Sequence, residues 1–155
     1  MLVHNTPLFC FGTLMDEDIL ICVSNLDPQS LTIEPATIVG YSQRNVTDED
    51  FPVLVPNPSE KTPGMLISGL NQKALDRVLF YEGDEYYLAE VTAVVSDDTQ
   101  KPASVFHSTG IYETGSDVWD FDRWRRNEKT DFLPRVKRYM QLYGKMTATE
   151  ADQFW

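Results

Sequence analysis

Two stretches of the chain carry residue types at spacings suited to chemistry. The first is Leu8-Phe9-Cys10-Phe11-Gly12-Thr13-Leu14-Met15-Asp16. An apolar run turns on one glycine. It then enters a segment with acidic residues first and Ile19, Leu20 and Val23 behind them at helical spacing. That is the pattern of a strand, a tight turn and a helix start. Such a turn leaves backbone N–H groups without partners, and those groups with the helix dipole favour an anion. Gly12 lets a ligand approach the backbone closely. The competing reading is structural only: Gly12 closes a turn and Asp16 caps the helix. The second stretch starts at Asn71, a helix cap. Leu75, Val78 and Leu79 form one apolar stripe, Glu82 occupies its next position at i+7, and Gly83 stops the helix. This spacing aims a carboxylate along the buried face, towards any cavity at the helix end. Alternatively, Glu82 lies past a frayed end and is solvated. A buried carboxylate has a raised pKa and exchanges protons near neutral pH. A turn lined with N–H groups holds a substrate carboxylate or a developing oxyanion. The pair suits proton transfer on an anionic substrate with no cofactor.

Other chemistries find little support. His4 and His107 are the only histidines, and Cys10 and Cys22 have no ligand spacing, so no metal site is expected. No Gly-x-Ser-x-Gly elbow and no glycine-rich phosphate motif is present. A net charge of −11 argues against a nucleic-acid partner, since phosphates are repelled. No apolar stretch approaches membrane-spanning length and no signal-peptide pattern opens the chain. Both cysteines read as small buried hydrophobes in a reducing compartment. Cytoplasmic location without membrane association is the expectation. The 155 residues fit one domain over 1–155.

The elements that must position these groups follow in order. Met1 to Pro7 is a polar lead-in, Leu8 to Phe11 a strand, and the first helix fades near Ser24-Asn25. Leu31 to Val39 is β-rich, with Pro35 restricting it to an edge or a bulge. Residues 40–50 are polar, Phe51 to Pro56 a short apolar run, Asn57 to Pro63 a turn-rich loop, and Gly64 to Leu70 a strand. Tyr86 to Val95 alternates as a long strand, and Ala103 to Tyr112 is the last one. A C-terminal helix spans about 117–143, kinked or split by Pro134, and its many arginines and lysines read as a solvated face. The tail, 145–155, ends on Phe154-Trp155. Strands and helices do not alternate as βαβα. The expected class is α+β: a small mixed β-barrel or strongly curved sheet flanked by helices.

Phe9-x-Phe11-Gly12-Thr13-Leu14 resembles the Tyr-Gly-(Ser/Thr)-Leu substrate loop of the γ-glutamylcyclotransferase-like family, in its avirulence-induced-gene branch. Pro35-Ala36-Thr37-x-x-Gly40-Tyr41, Phe51-Pro52-x-Leu54-Val55-Pro56 and Gly64-x-Leu66-x-x-Gly69-Leu70 follow in family order. Tyr81-Glu82-Gly83-Asp84-Glu85-Tyr86 resembles the segment holding the family's catalytic glutamate. Trp119-Asp120-Phe121-x-x-Trp124-Arg125-Arg126 resembles the final helix of bacterial members. The resemblance implies a barrel with flanking helices. It also implies an activity: the α-amine of a γ-glutamyl compound attacks its own γ-carbonyl, giving 5-oxoproline and a free amine or amino acid. Glu82 takes the general acid/base role. Phe11, Gly12, Thr13, Leu14, Met15 and Asp16 form the substrate loop, and Tyr86 lines the pocket. The implied partner is a small-molecule γ-glutamyl substrate. Two positions depart from the family pattern: Phe11 replaces the loop tyrosine, and Leu88 stands where arginine is frequent. The alternative function is a non-catalytic small-molecule binding or interaction protein that retains the pocket.

Overall fold

The strands of this chain close on themselves because one long hairpin pairs with both edges of a three-stranded sheet. The computed structural model describes residues 6–155. His4 and the first five residues of the expected lead-in lie outside the described residues. The strands are β1 (Leu8–Cys10), β2 (Thr32–Val46), β3 (Pro52–Ser68), β4 (Tyr86–Val95), β5 (Gln100–Ser108) and β6 (Thr114–Val118). They run in the order β3-β1-β5-β4-β2-β6, and β2 also pairs with β3. The first five strands therefore form a closed barrel, and β6 is appended to β2. All pairings are antiparallel except β1 with β5. The α+β expectation holds in this form.

The apolar residues of the strands face two ways. Phe9, Ile38, Leu66, Ala93 and Val105 are fully buried inside the barrel. Leu8, Cys10, Ile67 and Phe106 point outward and join a second core beneath the helices. β1 is only three residues long, yet each of them is buried, because it contributes to both cores.

β4 spans the expected Tyr86–Val95. The hairpin β2–β3 is much longer than the sequence suggests. The expected turn-rich loop at Asn57 to Pro63 is strand, and so is the polar stretch 40–50 as far as Val46. The turn signals there have a physical counterpart. Val39 pairs with Lys61 and Tyr41 with Pro56, so residues 57–60 bulge opposite Gly40, whose φ is +93°. Asn57 Oδ1 accepts from the Ser59 amide inside this bulge. The strand expected from Ala103 to Tyr112 runs from Gln100 and stops at Ser108, and it is not the last: β6 follows, taking in the start of the expected helix.

The helices are α1 (Glu17–Ser24), α2 (Gln72–Glu82), α3 (Phe121–Asn127), α4 (Lys129–Met140) and α5 (Ala148–Ala151). The expected C-terminal helix of about 117–143 is thus two helices. Asp117 lies in β6, and Asp120 caps α3 by accepting from the Arg123 amide. The break falls at Glu128, whereas Pro134 sits inside α4. Turning at Glu128 brings Trp124 and Phe132 together edge to face, 5.4 Å between centroids. Arg77 of α2 donates to the Val23 and Cys22 carbonyls at the end of α1, fixing α2 against it. No helix among the described residues is long and apolar enough to cross a membrane.

Candidate functional site

Glu82 is the last residue of α2. Of the stripe expected from the spacing, Leu75 and Val78 are buried on its inner face together with Ala74, whereas Leu79 is 39% exposed and belongs to the outer face. The helix thus buries the side on which Glu82 ends. There Glu82 lines a cavity of about 450 Å³. Burial alone pushes its carboxyl from an ordinary 4.5 up to about 8. No hydrogen bond or ion pair to its carboxylate occurs among the described residues. Glu82 is partly exposed at its surface, and that exposure opens into the cavity. The solvated alternative does not fit this placement.

The same cavity is lined by Phe11, Gly12, Thr13 and Leu14. Gly12 begins a single 3-10 turn over Thr13–Met15. The Met15 and Asp16 amides donate back to the Gly12 and Thr13 carbonyls. Among the described residues the amides of Gly12, Thr13 and Leu14 have no acceptor. A Cβ on Gly12 would stand 3.2 Å from Pro52, so the turn is pressed against the start of β3. Two side chains hold it. Tyr81 and Thr13 share a 2.6 Å hydroxyl–hydroxyl hydrogen bond, and Gln43 Nε2 donates to the Phe11 carbonyl at 2.8 Å. Tyr81 ties the end of α2, and with it Glu82, to the turn. Electrostatics agrees with this proximity. Burial first, and then the charge of Glu82, push the Cys10 thiol and the Tyr86 phenol far above their usual ranges.

Tyr86 lines the cavity as expected. Met15 and Asp16 do not. Met15 faces a groove on the other side of the turn. Asp16 is buried as the cap of α1, where its Oδ1 accepts from the Asp18 and Ile19 amides, and its Oδ2 lies 2.9 Å from Lys129 Nζ. An aspartate followed by a helix start satisfies the helix before it can serve a ligand. Asp16→Ala is expected to lower stability by about 2 kcal/mol, read as a drop in Tm of about 6 °C. Loss of substrate affinity at unchanged Tm would instead return Asp16 to the binding loop.

Several residues of the site escaped the sequence reading. Gln43 does not line the cavity; it lies in a stretch read only as polar, and its place in β2 buries it where it reaches the Phe11 carbonyl. Tyr81 neighbours Glu82, and its role depends on a contact 68 positions away. Tyr112, Asp152 and Trp155 also line the cavity. Of the aromatic tail, Trp155 docks, edge to face with Phe132 at 5.3 Å and Tyr139 at 5.5 Å and beneath the Arg135 guanidinium at 4.3 Å. Phe154 is 66% exposed. No group of His, Cys, Asp and Glu able to hold a metal occurs among the described residues.

Comparison with known proteins supplies the context for this arrangement. AIG2-like protein B of Arabidopsis thaliana is 26% identical over 155 residues, covering 98% of this chain and 87% of the relative. Protein AIG2 C of the same plant is 24% identical over 143 residues, covering 89% and 82%. An Arabidopsis thaliana solution structure superposes with a TM-score of 0.64 at 21% identity, covering 89% of this chain and 92% of that one. A structure described as a gamma-glutamyl cyclotransferase gives 0.55 at 15% identity, covering 70% and 69%. These structural likenesses show the fold. The family model "Gamma-glutamyl cyclotransferase, AIG2-like" matches residues 8–126, which include β1, the Gly12 turn, Glu82 and Tyr86. The chain belongs to the AIG2-like gamma-glutamyl cyclotransferase family.

Proposed function

We propose that this protein converts a γ-glutamyl amine or amino acid into 5-oxoproline and the free amine, with Glu82 as general acid/base and no cofactor. One observation carries the reading. An unpartnered carboxyl, pushed up to about 8 by burial, shares a cavity with a turn whose amides lack acceptors. Family membership supports a cyclotransferase-type function at the coarser level.

The chemistry follows from the two parts. A γ-glutamyl α-amine is protonated near neutral pH and is no nucleophile in that state. Deprotonated Glu82 accepts one of its protons. The amine nitrogen then bonds to the γ-carbon, and the negative charge that develops on the γ-oxygen needs donors. The amides of Gly12, Thr13 and Leu14 supply them, or hold the substrate's α-carboxylate. The bond from the γ-carbon to the leaving nitrogen breaks as Glu82 passes that proton to it. Glu82 then takes the second proton from the new ring nitrogen and passes it to the departing amine, which leaves as its ammonium, so the same residue serves as base and acid and ends deprotonated as it began. A glutamate with a pKa near the working pH suits both halves of that exchange. Phe11 brings no hydroxyl to the loop. Tyr81 and Gln43 hold Thr13 and the Phe11 backbone instead.

The test is release of 5-oxoproline from a panel of γ-glutamyl amino acids and γ-glutamyl alkylamides. Product formation on at least one member is the expected result. A folded protein that releases none from the whole panel would overturn the reading.

A further inference from the structure

The tail after α4 is built into the cavity wall. Residues 145–155 lie beyond the stretch 8–126 matched by the family model. They contain only α5, four residues long, and a single 3-10 turn over Asp152–Phe154. Elements this short do not hold a place by themselves. Their contacts do it for them. The Thr149 hydroxyl donates to the Asp84 carboxylate, two residues past Glu82. Trp155 fills a socket on α4. Phe132 and Tyr139 meet its ring edge to face, the Arg135 guanidinium lies over it, and Arg135 Nε donates to its main-chain oxygen at 2.6 Å. The Tyr139 hydroxyl in turn donates to the Phe80 carbonyl at 3.1 Å, two residues before Glu82.

The tail and its socket are thus tied to the chain just before and just after Glu82. Between these ties Trp155 lines the cavity that Glu82 enters, whereas Arg135 does not. An indole held in this way takes the space that solvent would otherwise occupy.

We propose that Trp155 is a positioning residue of the site: docked in its socket, it closes the cavity beside the end of α2 and shields the Glu82 carboxyl from bulk water. The closure acts through Glu82 alone, and its meaning for turnover rests on the cyclotransferase reading. Burial is the one cause that raises the Glu82 carboxyl, so admitting water lowers it from about 8 towards 4.5. The other carboxyls of the lining are Glu49, Glu85, Glu113 and Asp152, and no lysine, arginine or histidine lines the cavity. The Cys10 thiol and the phenols of Tyr81, Tyr86, Tyr112 and Tyr139 are pushed up by burial and stay neutral while Glu82 titrates.

The experiment is a carbon-13 NMR titration of the glutamate carboxyls in the full chain, with the Glu82 signal identified by its loss in Glu82→Gln. In Trp155→Ala the Glu82 midpoint is expected to fall by at least about one pH unit. Trp155→Phe keeps a ring in the socket and restores the wild-type midpoint. Arg135→Met undocks Trp155 without altering the lining, and carries the test if Trp155→Ala does not fold. Its direction is diagnostic. Loss of a cation by itself raises a carboxyl pKa, whereas undocking lowers it. Asp152→Asn removes the charge that the tail brings to the cavity and leaves the midpoint in place. A folded Trp155→Ala with the wild-type midpoint, a rise in Arg135→Met, or an equal fall in Asp152→Asn overturns the proposal and leaves the cyclotransferase standing. The pH of half-maximal kcat/KM is expected to follow the NMR midpoint in each variant. A fall in the midpoint with no 5-oxoproline released from the panel overturns the cyclotransferase and supports the closure.

Discussion

Glu82→Gln is expected to lower turnover about 10³-fold, the loss typical of removing a positioned general base, and also to make the protein more stable. The first effect follows from the reaction. Glutamine keeps the shape of the side chain and accepts no proton, so the α-ammonium stays protonated. The second follows from burial. The Glu82 carboxyl has its folded pKa near 8 and its ordinary value at 4.5, and desolvation is the cause. Between these values the native state binds a proton that the unfolded state has released. Its stability contribution is therefore whole below 4.5 and is lost as pH rises through the folded value of about 8. At pH 7 the wild type is weakened by about 3 kcal/mol relative to a neutral residue there. Thermal melts from pH 5 to 8.5 should show Glu82→Gln gaining on the wild type as pH rises, by about 8 °C at pH 7. In kinetics, wild-type kcat/KM should climb with pH, reach half its plateau near 8 and level off above that. Parallel melting curves for the two proteins would mean that Glu82 ionises as in water, and the assignment of a poised base would fall with that result.

Gly64→Ala is expected to destabilise the protein by at least about 3 kcal/mol, or about 10 °C in Tm. Gly64 follows the bulge in β3 and pairs with Ala36. A Cβ there would collide with the Cys10 carbonyl and stand 2.7 Å from Phe9 Cζ. Neither neighbour can yield. Cys10 belongs to β1, paired with Met65, and Phe9 is 1% exposed inside the barrel. The backbones of β1 and β3 must part, and the Gly12 turn leaves the cavity with them. Differential scanning calorimetry with 5-oxoproline release on the same sample separates this case from a local one. A variant with wild-type Tm would show that the strands relax around the methyl group.

The sequence makes some of these elements legible and hides others for physical reasons. β4 and α2 are readable because their apolar periodicity lies within one element and nothing interrupts it. Glu82 is readable because it extends that period by one position. The middle of β2–β3 is hidden because Pro56, Asn57 and Pro58 mark a bulge in the same way as they mark a loop. Local composition does not say that the strand resumes four residues later. The split of the C-terminal helix is hidden because Pro134 carries a strong local signal while the break at Glu128 comes from packing Trp124 on Phe132. Asp16 has both a capping and a binding reading, and the helix claims it. Tyr81, Gln43 and Trp155 enter the site through contacts between distant segments, which no local pattern encodes.

The placement of β1 also governs when the site comes into being. β2 and β3 are neighbours in the chain, as are β4 and β5, so each pair closes over a short loop. β1 instead pairs Leu8 with Ile67 on one side and Ser104 on the other, the most distant partnership in the barrel. Long-range closure is entropically unfavourable until flanking structure exists to reward it. Insertion of these three residues is thus expected to be a late step in folding. The Gly12 turn, which follows β1 directly, takes its place opposite Glu82 in that same step. A partly folded chain holds neither cavity nor oxyanion donors, and function arrives all at once with barrel closure. Backbone amides of Leu8 to Cys10 are accordingly expected to exchange with solvent through a partial opening that costs less than global unfolding.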